Sequence, residues 1–207
     1  MKKIFIIVML TFIITSQAQA QTLEKSIVEI RLGVGHASYA TEDELNVEDV
    51  SGAKFGVQLR ATNKPSMSNS FFFGAGLGIY TDTATDKACA SVITDRDCVE
   101  VSSQFSLDFF VTAGFELTQD TRLYTNIGLA VNQGMIEITS RNFESHNKQF
   151  HTGSMVGGGI STRVGRHLSL YFEGGAAFLE KQEYFDGVLE IGSLTQTNVL
   201  AGIAYHF

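Results

Sequence analysis

The C-terminal segment Val199–Phe207, VLAGIAYHF, carries the pattern that most constrains the fold of this chain. Apolar residues occupy every odd position, and mostly small or polar residues stand between them. Because side chains alternate between the two faces of a β-strand, this pattern predicts a strand with one apolar face. The same alternation recurs at residues 28–35, 53–62, 71–80, 105–117, 123–132, 150–164 and 168–178. We therefore predict an all-β chain with eight antiparallel strands.

The segment at residues 123–132, the fifth in chain order, loses its alternation near Gln133 and Gly134. Beyond this point Ile136 and Ile138 occupy the apolar side. One extra residue in a strand moves the following side chains to the opposite face. The pattern therefore predicts a β-bulge at Gln133–Gly134.

The N-terminal segment Met1–Ala20 has the features of a secretory signal peptide. Lys2 and Lys3 precede the apolar run Ile4–Ile14, and the small residues Ala18 and Ala20 fit a cleavage site. The apolar run is shorter than the roughly 20 residues that a membrane-spanning helix needs. We expect residues 1–20 to be removed and residues 21–207 to form a single domain.

Several segments reach the length of about 9–11 residues that a tilted strand needs to cross a bilayer. Their connections alternate in length: those at 41–51, 83–100, 139–149 and 181–192 are long, and those at 63–69, 119–121 and 165–167 are short. Outer-membrane barrels have short periplasmic turns and longer outer loops. Glycine is frequent and the chain has a single proline, which suits long uninterrupted strands. The pattern predicts a transmembrane up-and-down β-barrel.

The face opposite the apolar one carries charges that a soluble core would rarely bury. Most glycines of the strands fall on this same face, which leaves room for long side chains in a narrow interior. We predict a lumen filled by a paired charge network, whose members are Glu29, Arg31, Lys54, Arg60, Asp108, Glu116, Arg163 and Glu173.

Two other architectures fit part of the pattern. A soluble periplasmic barrel that binds a small apolar ligand would turn the apolar face inward and the charges outward. A narrow pore would leave an open path along the lumen, although eight strands leave almost no channel once side chains fill it.

The eight segments, the alternating connections, the glycine-rich inner face and the Tyr-His-Phe ending resemble the small outer-membrane β-barrel family, which includes the OmpA transmembrane domain, OmpX, Ail and the opacity proteins. The resemblance implies a bacterial outer-membrane location with lipid and lipopolysaccharide as neighbours. It also implies an adhesin, resistance or structural role through the outer loops, which would contact a host or surface ligand. Ile203, Tyr205 and Phe207 resemble the C-terminal signal that the outer-membrane insertion machinery recognises.

The second long connection contains the two cysteines, Cys89 and Cys98. An exported chain meets an oxidising compartment, so we expect them to form a disulfide rather than a metal site. The first two long connections are acidic. We interpret these carboxylates mainly as solvated loop surface, and their negative charge argues against nucleic-acid binding. A calcium or magnesium site in these acidic connections is the alternative interpretation. We predict no cofactor and no resident metal.

Catalysis by a small barrel, such as modification of lipid A, would require a serine, a histidine and a carboxylate within hydrogen-bond reach. His36 and Ser38 share a strand face and Glu48 follows in the next loop, whereas His151 and Ser154 fall on opposite faces. Neither set has a recognisable catalytic context. We therefore predict no catalytic residues and treat enzyme activity as an alternative.

Overall fold

The structure is a computed structural model that describes residues 23–41, 50–65, 70–92, 95–140, 143–184, 189–191 and 193–207. The predicted signal peptide, residues 1–20, lies outside these residues. The described strands are β1 Leu23–Thr41, β2 Val50–Pro65, β3 Phe71–Asp82, β4 Thr85–Val92, β5 Asp95–Glu116, β6 Thr121–Ser140, β7 Phe143–Arg163, β8 Leu168–Leu179, β9 Gln182–Tyr184, β10 Leu189–Ile191 and β11 Leu194–His206.

Eight of these strands, β1, β2, β3, β5, β6, β7, β8 and β11, close into an antiparallel barrel. The first and last barrel strands pair from Glu29–His206 to Thr41–Leu194. The pairing of β3 with β5 completes the ring on the other side. Each of the eight alternating segments lies in one of these strands, to within one residue at its C-terminal end, so the predicted fold class is confirmed.

The two ends of the barrel differ in how the strands are connected. At one end, which we call the turn end, the short connections at 117–120 and 164–167 join β5 to β6 and β7 to β8. Each is closed by backbone hydrogen bonds, such as that from Leu117 N to the Thr121 carbonyl (2.8 Å) and that from Val164 N to the Leu168 carbonyl (2.9 Å). The opposite end, which we call the hairpin end, holds the long connections.

Two of the long connections are strand rather than irregular loop. In the second, at 83–100, β4 pairs with β5 up to Val92–Asp95. In the third, at 139–149, β6 and β7 remain paired up to Ser140–Phe143. The fourth contains the small β9–β10 hairpin, and most of the first lies outside the described residues. Residues 139–149, TSRNFESHNKQ, are polar at almost every position, so an apolar–polar alternation gave no signal for this extension.

The β-bulge predicted at Gln133–Gly134 is wrong in its position. The ladder between β6 and β7 is continuous through both residues. The register shift lies instead in β5 between Ser103 and Phe105, opposite Gly134 and Gln133. Ile136 stays on the inner face and is completely buried. An apolar residue inside the hairpin end, rather than a change of face, caused the break in alternation.

The faces of the barrel are apolar outside and polar inside. The outer faces of all eight barrel strands carry large apolar side chains that are 37–62% exposed. The buried residues include the carboxylates and cations Glu29, Arg31, Lys54, Arg60, Asp82, Asp108 and Glu173. No helix among the described residues is long and apolar enough to cross a membrane.

Candidate functional site

The predicted lumen charges fall into two groups. Six of them, Glu29, Arg31, Lys54, Arg60, Asp108 and Glu173, are buried inside the barrel. The other two, Glu116 and Arg163, are half-buried at the turn end, where they line a pocket. The alternation of the strands brings all eight to the inner face.

Glu173 on β8 is the centre of the deepest ion-pair cluster. Its Oε2 lies 2.9 Å from Nη2 of Arg60, and its Oε1 accepts a hydrogen bond from Gln58 at 3.1 Å. The same carboxylate is 3.7 Å from Nη1 of Arg31, which is itself 2.8 Å from Glu29. The contacts join β1, β2 and β8 across the lumen, so each buried guanidinium faces a carboxylate.

Aromatic rings hold these guanidinium groups from the sides. Arg31 lies 4.9 Å from the ring centre of Tyr124 and 5.0 Å from that of Tyr171, and its Nη1 donates to the Tyr124 hydroxyl at 2.7 Å. Arg60 lies 4.4 Å from the Tyr124 ring and 5.0 Å from that of Phe110. Cations over aromatic faces are attracted by the ring quadrupole, most strongly where water is excluded.

The inner-face glycines make room for the rings. A Cβ placed on Gly56 would lie 2.7 Å from Cε1 of Tyr80, and one on Gly159 would lie 2.7 Å from the Tyr124 hydroxyl oxygen. Both distances are shorter than van der Waals contact, so any side chain there would displace a ring. Tyr80 in turn lies under Lys54, whose Nζ is 4.3 Å from the ring centre.

A second ion-pair cluster lies at the turn end and contains two cations that the sequence analysis missed. Arg122 reaches both Glu116 (3.0 Å) and Glu29 (3.4 Å), and Lys64 lies 2.8 Å from Glu116. Both cations continue the inward parity of their strands. They were missed because Lys64 falls inside the predicted connection 63–69 and Arg122 directly follows the connection 119–121, where alternation is hard to follow.

At the hairpin end of the lumen, buried polar side chains surround one hydroxyl, that of Tyr39 on β1. It donates to Asp82 at 2.7 Å and accepts from the amides of Gln196 (2.9 Å) and Asn132 (3.0 Å). The Ser103 hydroxyl lies 2.9 Å away. This cluster links β1, β3, β5, β6 and β11, and none of its members was among the predicted site residues.

The structure also brings together a serine, a histidine and a carboxylate. Ser169 Oγ lies 2.6 Å from Nε2 of His206, whose Nδ1 is 3.3 Å from Glu29. A nucleophilic serine must reach its substrate, but Ser169 is only 2% exposed and Glu29 is already paired with Arg31 and Arg122. The contacts fit a hydrogen-bonded link between β8 and β11 better than a hydrolytic site.

The sets considered for catalysis do not assemble. His36 is exposed on the outer face, and Glu48 lies outside the described residues. His151 points inward and Ser154 outward, as their spacing predicts, and His151 Nδ1 lies 3.3 Å from the Glu180 carbonyl oxygen. Within the described residues, no group of three or more histidine, cysteine, aspartate or glutamate side chains could hold a metal ion.

The remaining predicted residues lie near the two ends of the barrel. Ile203, Tyr205 and Phe207 point outward near the turn end, and the rings of Tyr205 and Phe207 are 5.1 Å apart. Cys89 and Cys98 are register partners in the β4–β5 pair. Their side chains are outside the described part of the structure, so the disulfide stays a prediction.

A closed barrel with an exposed apolar belt and a polar interior defines a transmembrane β-barrel of the outer-membrane type. The family model described as "Outer membrane protein beta-barrel domain" matches residues 5–207. The chain therefore belongs to this family, and its place is the bacterial outer membrane, with the turn end in the periplasm. The soluble-barrel alternative is wrong.

Solved structures with the same fold share little sequence with this chain. Neisserial surface protein A is 14% identical with a TM-score of 0.53, over 89% of this chain and 100% of that one. Ail of Yersinia pestis, in complex with the heparin analogue sucrose octasulfate, is 12% identical with a TM-score of 0.51, over 88% and 99%. No curated protein matches the chain. At these identities the likeness concerns the fold alone.

Proposed function

We propose that this protein is a non-conducting, non-catalytic outer-membrane barrel that acts at the cell surface through its hairpin end, in an adhesin, resistance or structural role. The observation that carries the proposal is the lumen, whose inward side chains are largely buried. Three layers of side chains lie along it: the turn-end ion pairs, the central cluster around Glu173 and the hydroxyl cluster around Tyr39. In a barrel without an open path along its lumen, partners in solution can contact only the two exposed ends.

The hairpin end supplies the surface for such a role. The β4–β5 and β6–β7 hairpins extend the barrel wall past the Tyr39 layer and end at Val92–Asp95 and Ser140–Phe143. Paired strands present side chains at fixed spacing, which favours recognition over a freely moving loop. We infer that a disulfide between Cys89 and Cys98 would stiffen the first hairpin further.

The charge of this end limits the class of partner. Residues 42–49 contain Glu42, Asp43, Glu44, Glu48 and Asp49 and no lysine or arginine. Such a segment would repel a polyanion, so a sulfated sugar like the one bound by Ail is disfavoured here. A cationic partner surface, or lipopolysaccharide bridged by divalent cations, fits the charge better.

The first experiment separates the closed barrel from the narrow pore. The refolded chain is inserted into planar lipid bilayers in concentrated potassium chloride, and the current is recorded at both polarities. We expect no stepwise conductance for the wild type. A reproducible open state in the wild type would refute the closed barrel and favour the pore.

The second experiment tests the surface role in cells that carry the protein in their outer membrane. Residues 89–98 are replaced by a two-residue Asn-Gly turn, which closes the hairpin at the register pair Ala88–Val99, and the matched control replaces residues 118–120 at the periplasmic turn end with glycines. Binding to cultured epithelial cells, survival in serum and resistance to detergent are measured. We expect the hairpin variant alone to lose at least one activity. Equal behaviour of both variants and the wild type would contradict the proposal.

A further inference from the structure

The periplasmic mouth of the lumen holds a pocket that the ion-pair clusters leave open. Its volume is about 160 Å³, and its polar lining includes Asn63, Lys64, Glu116, Gln119, Arg122 and Arg163. These residues come from β2, from β5 and the turn that follows it, and from β6 and β7. Four different strands therefore fix the positions of the polar groups around one small cavity.

The lining has more positive than negative charge. Its carboxylate, that of Glu116, already lies 2.8 Å from Lys64 and 3.0 Å from Arg122. Glu29, the second partner of Arg122, is also paired with Arg31. The available carboxylates are thus shared among several cations, and the pocket keeps an excess of cationic donors.

Arg163 contributes most of this excess. Its backbone amide donates to the Asp120 carbonyl at 2.7 Å. Across the residues that the structure describes, its guanidinium forms no ion pair with Asp120, Glu116 or any other carboxylate. A half-buried guanidinium at the wall of a cavity that has no anionic partner in the protein can bind an anion that enters the cavity.

We propose that this pocket binds a phosphoryl group. The fork of Arg163 can give two parallel hydrogen bonds to phosphate oxygens, while Lys64 and the amides of Asn63 and Gln119 add donors around it. The outer faces of Phe115 and Leu117, which flank Glu116, are 55% and 58% exposed. The apolar belt therefore ends beside the pocket, at the depth where phospholipid phosphates lie.

The phosphoryl group has two sources, a phospholipid headgroup of the inner leaflet or free phosphate in the periplasm. The test uses the folded chain in maltoside micelles, which contain no phosphate, and follows backbone amide shifts by NMR. One arm titrates inorganic phosphate and the other short-chain phosphatidylglycerol. The ligand that saturates at the lower concentration identifies the source.

We expect saturable shifts at Asn63, Lys64 and Arg122 in at least one arm. Arg163→Gln should weaken that binding by about tenfold or more, because a charge-assisted hydrogen bond is lost. Arg166→Gln is the matched control: it removes the same charge at the same end, from an exposed turn residue outside the pocket. Its binding should equal that of the wild type.

Two results would overturn the proposal. The first is the absence of saturable shifts at the pocket residues in both arms. The second is an equal loss of binding in Arg163→Gln and Arg166→Gln, which would mean unspecific attraction to a positive barrel end. The folded state of each variant is verified by its heat-dependent gel migration. If Arg163→Gln does not fold, Arg163→Lys replaces it, with a smaller expected loss because lysine keeps the charge without the fork.

Discussion

Replacing Glu173 by glutamine removes one negative charge and leaves the shape of the side chain almost unchanged. The carboxylate lies 2.9 Å from Arg60, accepts a hydrogen bond from Gln58 at 3.1 Å and is 3.7 Å from Arg31. It is only 5% exposed, and Arg60 is 1% exposed. Because water cannot reach Arg60, its charge would have no compensating partner after the substitution.

Breaking a buried ion pair by removing one partner costs about 3–5 kcal/mol, since the remaining charge stays desolvated. We expect Glu173→Gln to lower the free energy of unfolding by this amount. Glu116→Gln is the matched control, because Glu116 also contacts two cations but its side chain is 20% exposed. Ion pairs that water can reach contribute about 1 kcal/mol or less, so this variant should lose much less than Glu173→Gln.

The free energies are measured by reversible urea unfolding of the refolded barrel in lipid vesicles. The double variant Arg60→Gln/Glu173→Gln completes a thermodynamic cycle. We expect its loss of stability to be smaller than the sum of the two single losses, by about 2 kcal/mol or more. A change below about 1 kcal/mol for Glu173→Gln, or additivity in the cycle, would refute the reasoning that these groups stabilise each other inside the barrel.

Three further predictions follow from single contacts. Gly56→Ala should cost about 1–3 kcal/mol in urea unfolding, because the new methyl group overlaps a tyrosine ring. Gly174→Ala should cost much less, because its Cβ would lie 3.6 Å from the Asn198 carbonyl oxygen, at ordinary contact distance, and equal losses would argue against the ring-packing role of glycine. Tyr39→Phe should cost about 1–3 kcal/mol, because four buried polar groups lose one shared hydroxyl; an unchanged urea midpoint would contradict this. Cys89 and Cys98 should react with iodoacetamide only after reduction, and alkylation of the unreduced, unfolded protein would show that they are not paired.

The alternation of side chains was sufficient to predict the strands and their two faces. The segment at 199–207 has its apolar residues at odd positions, and Val199, Ile203, Tyr205 and Phe207 are 45–70% exposed. Every second residue of a barrel strand faces lipid and must be apolar, so the alternation can be recognised in the sequence. The short turns between the strands followed from the same pattern.

The ion-pair partners could not be predicted in the same way. Glu173 and Arg60 are 113 positions apart, and they meet only because the stagger of the closed barrel brings β8 and β2 to the same height. That stagger depends on the sum of all strand registers, including the bulge between Ser103 and Phe105. A sequence shows which residues point inward, but the heights at which they meet come from the closed structure.

The hairpin end is the part that sequence reasoning described least well. Ile136 interrupts the alternation because it is buried inside the barrel above the polar layers, where lipid no longer selects the outer face. Tyr39 was missed for a related reason. In a hydropathy pattern tyrosine counts as an apolar residue. The structural role of Tyr39 depends instead on its hydroxyl, which contacts residues of four other strands.

The inside-out arrangement of the two faces is the central claim, and a pair of neighbouring aromatic residues tests it most directly. Tyr171 is 4% exposed on the inner face and Phe172 is 54% exposed on the outer face. The chain contains no tryptophan, so a single tryptophan placed at either position reports on that face alone. In vesicles of brominated phospholipid, we predict strong fluorescence quenching for Phe172→Trp and weak quenching for Tyr171→Trp. Equal quenching, or the reverse order, would contradict the account.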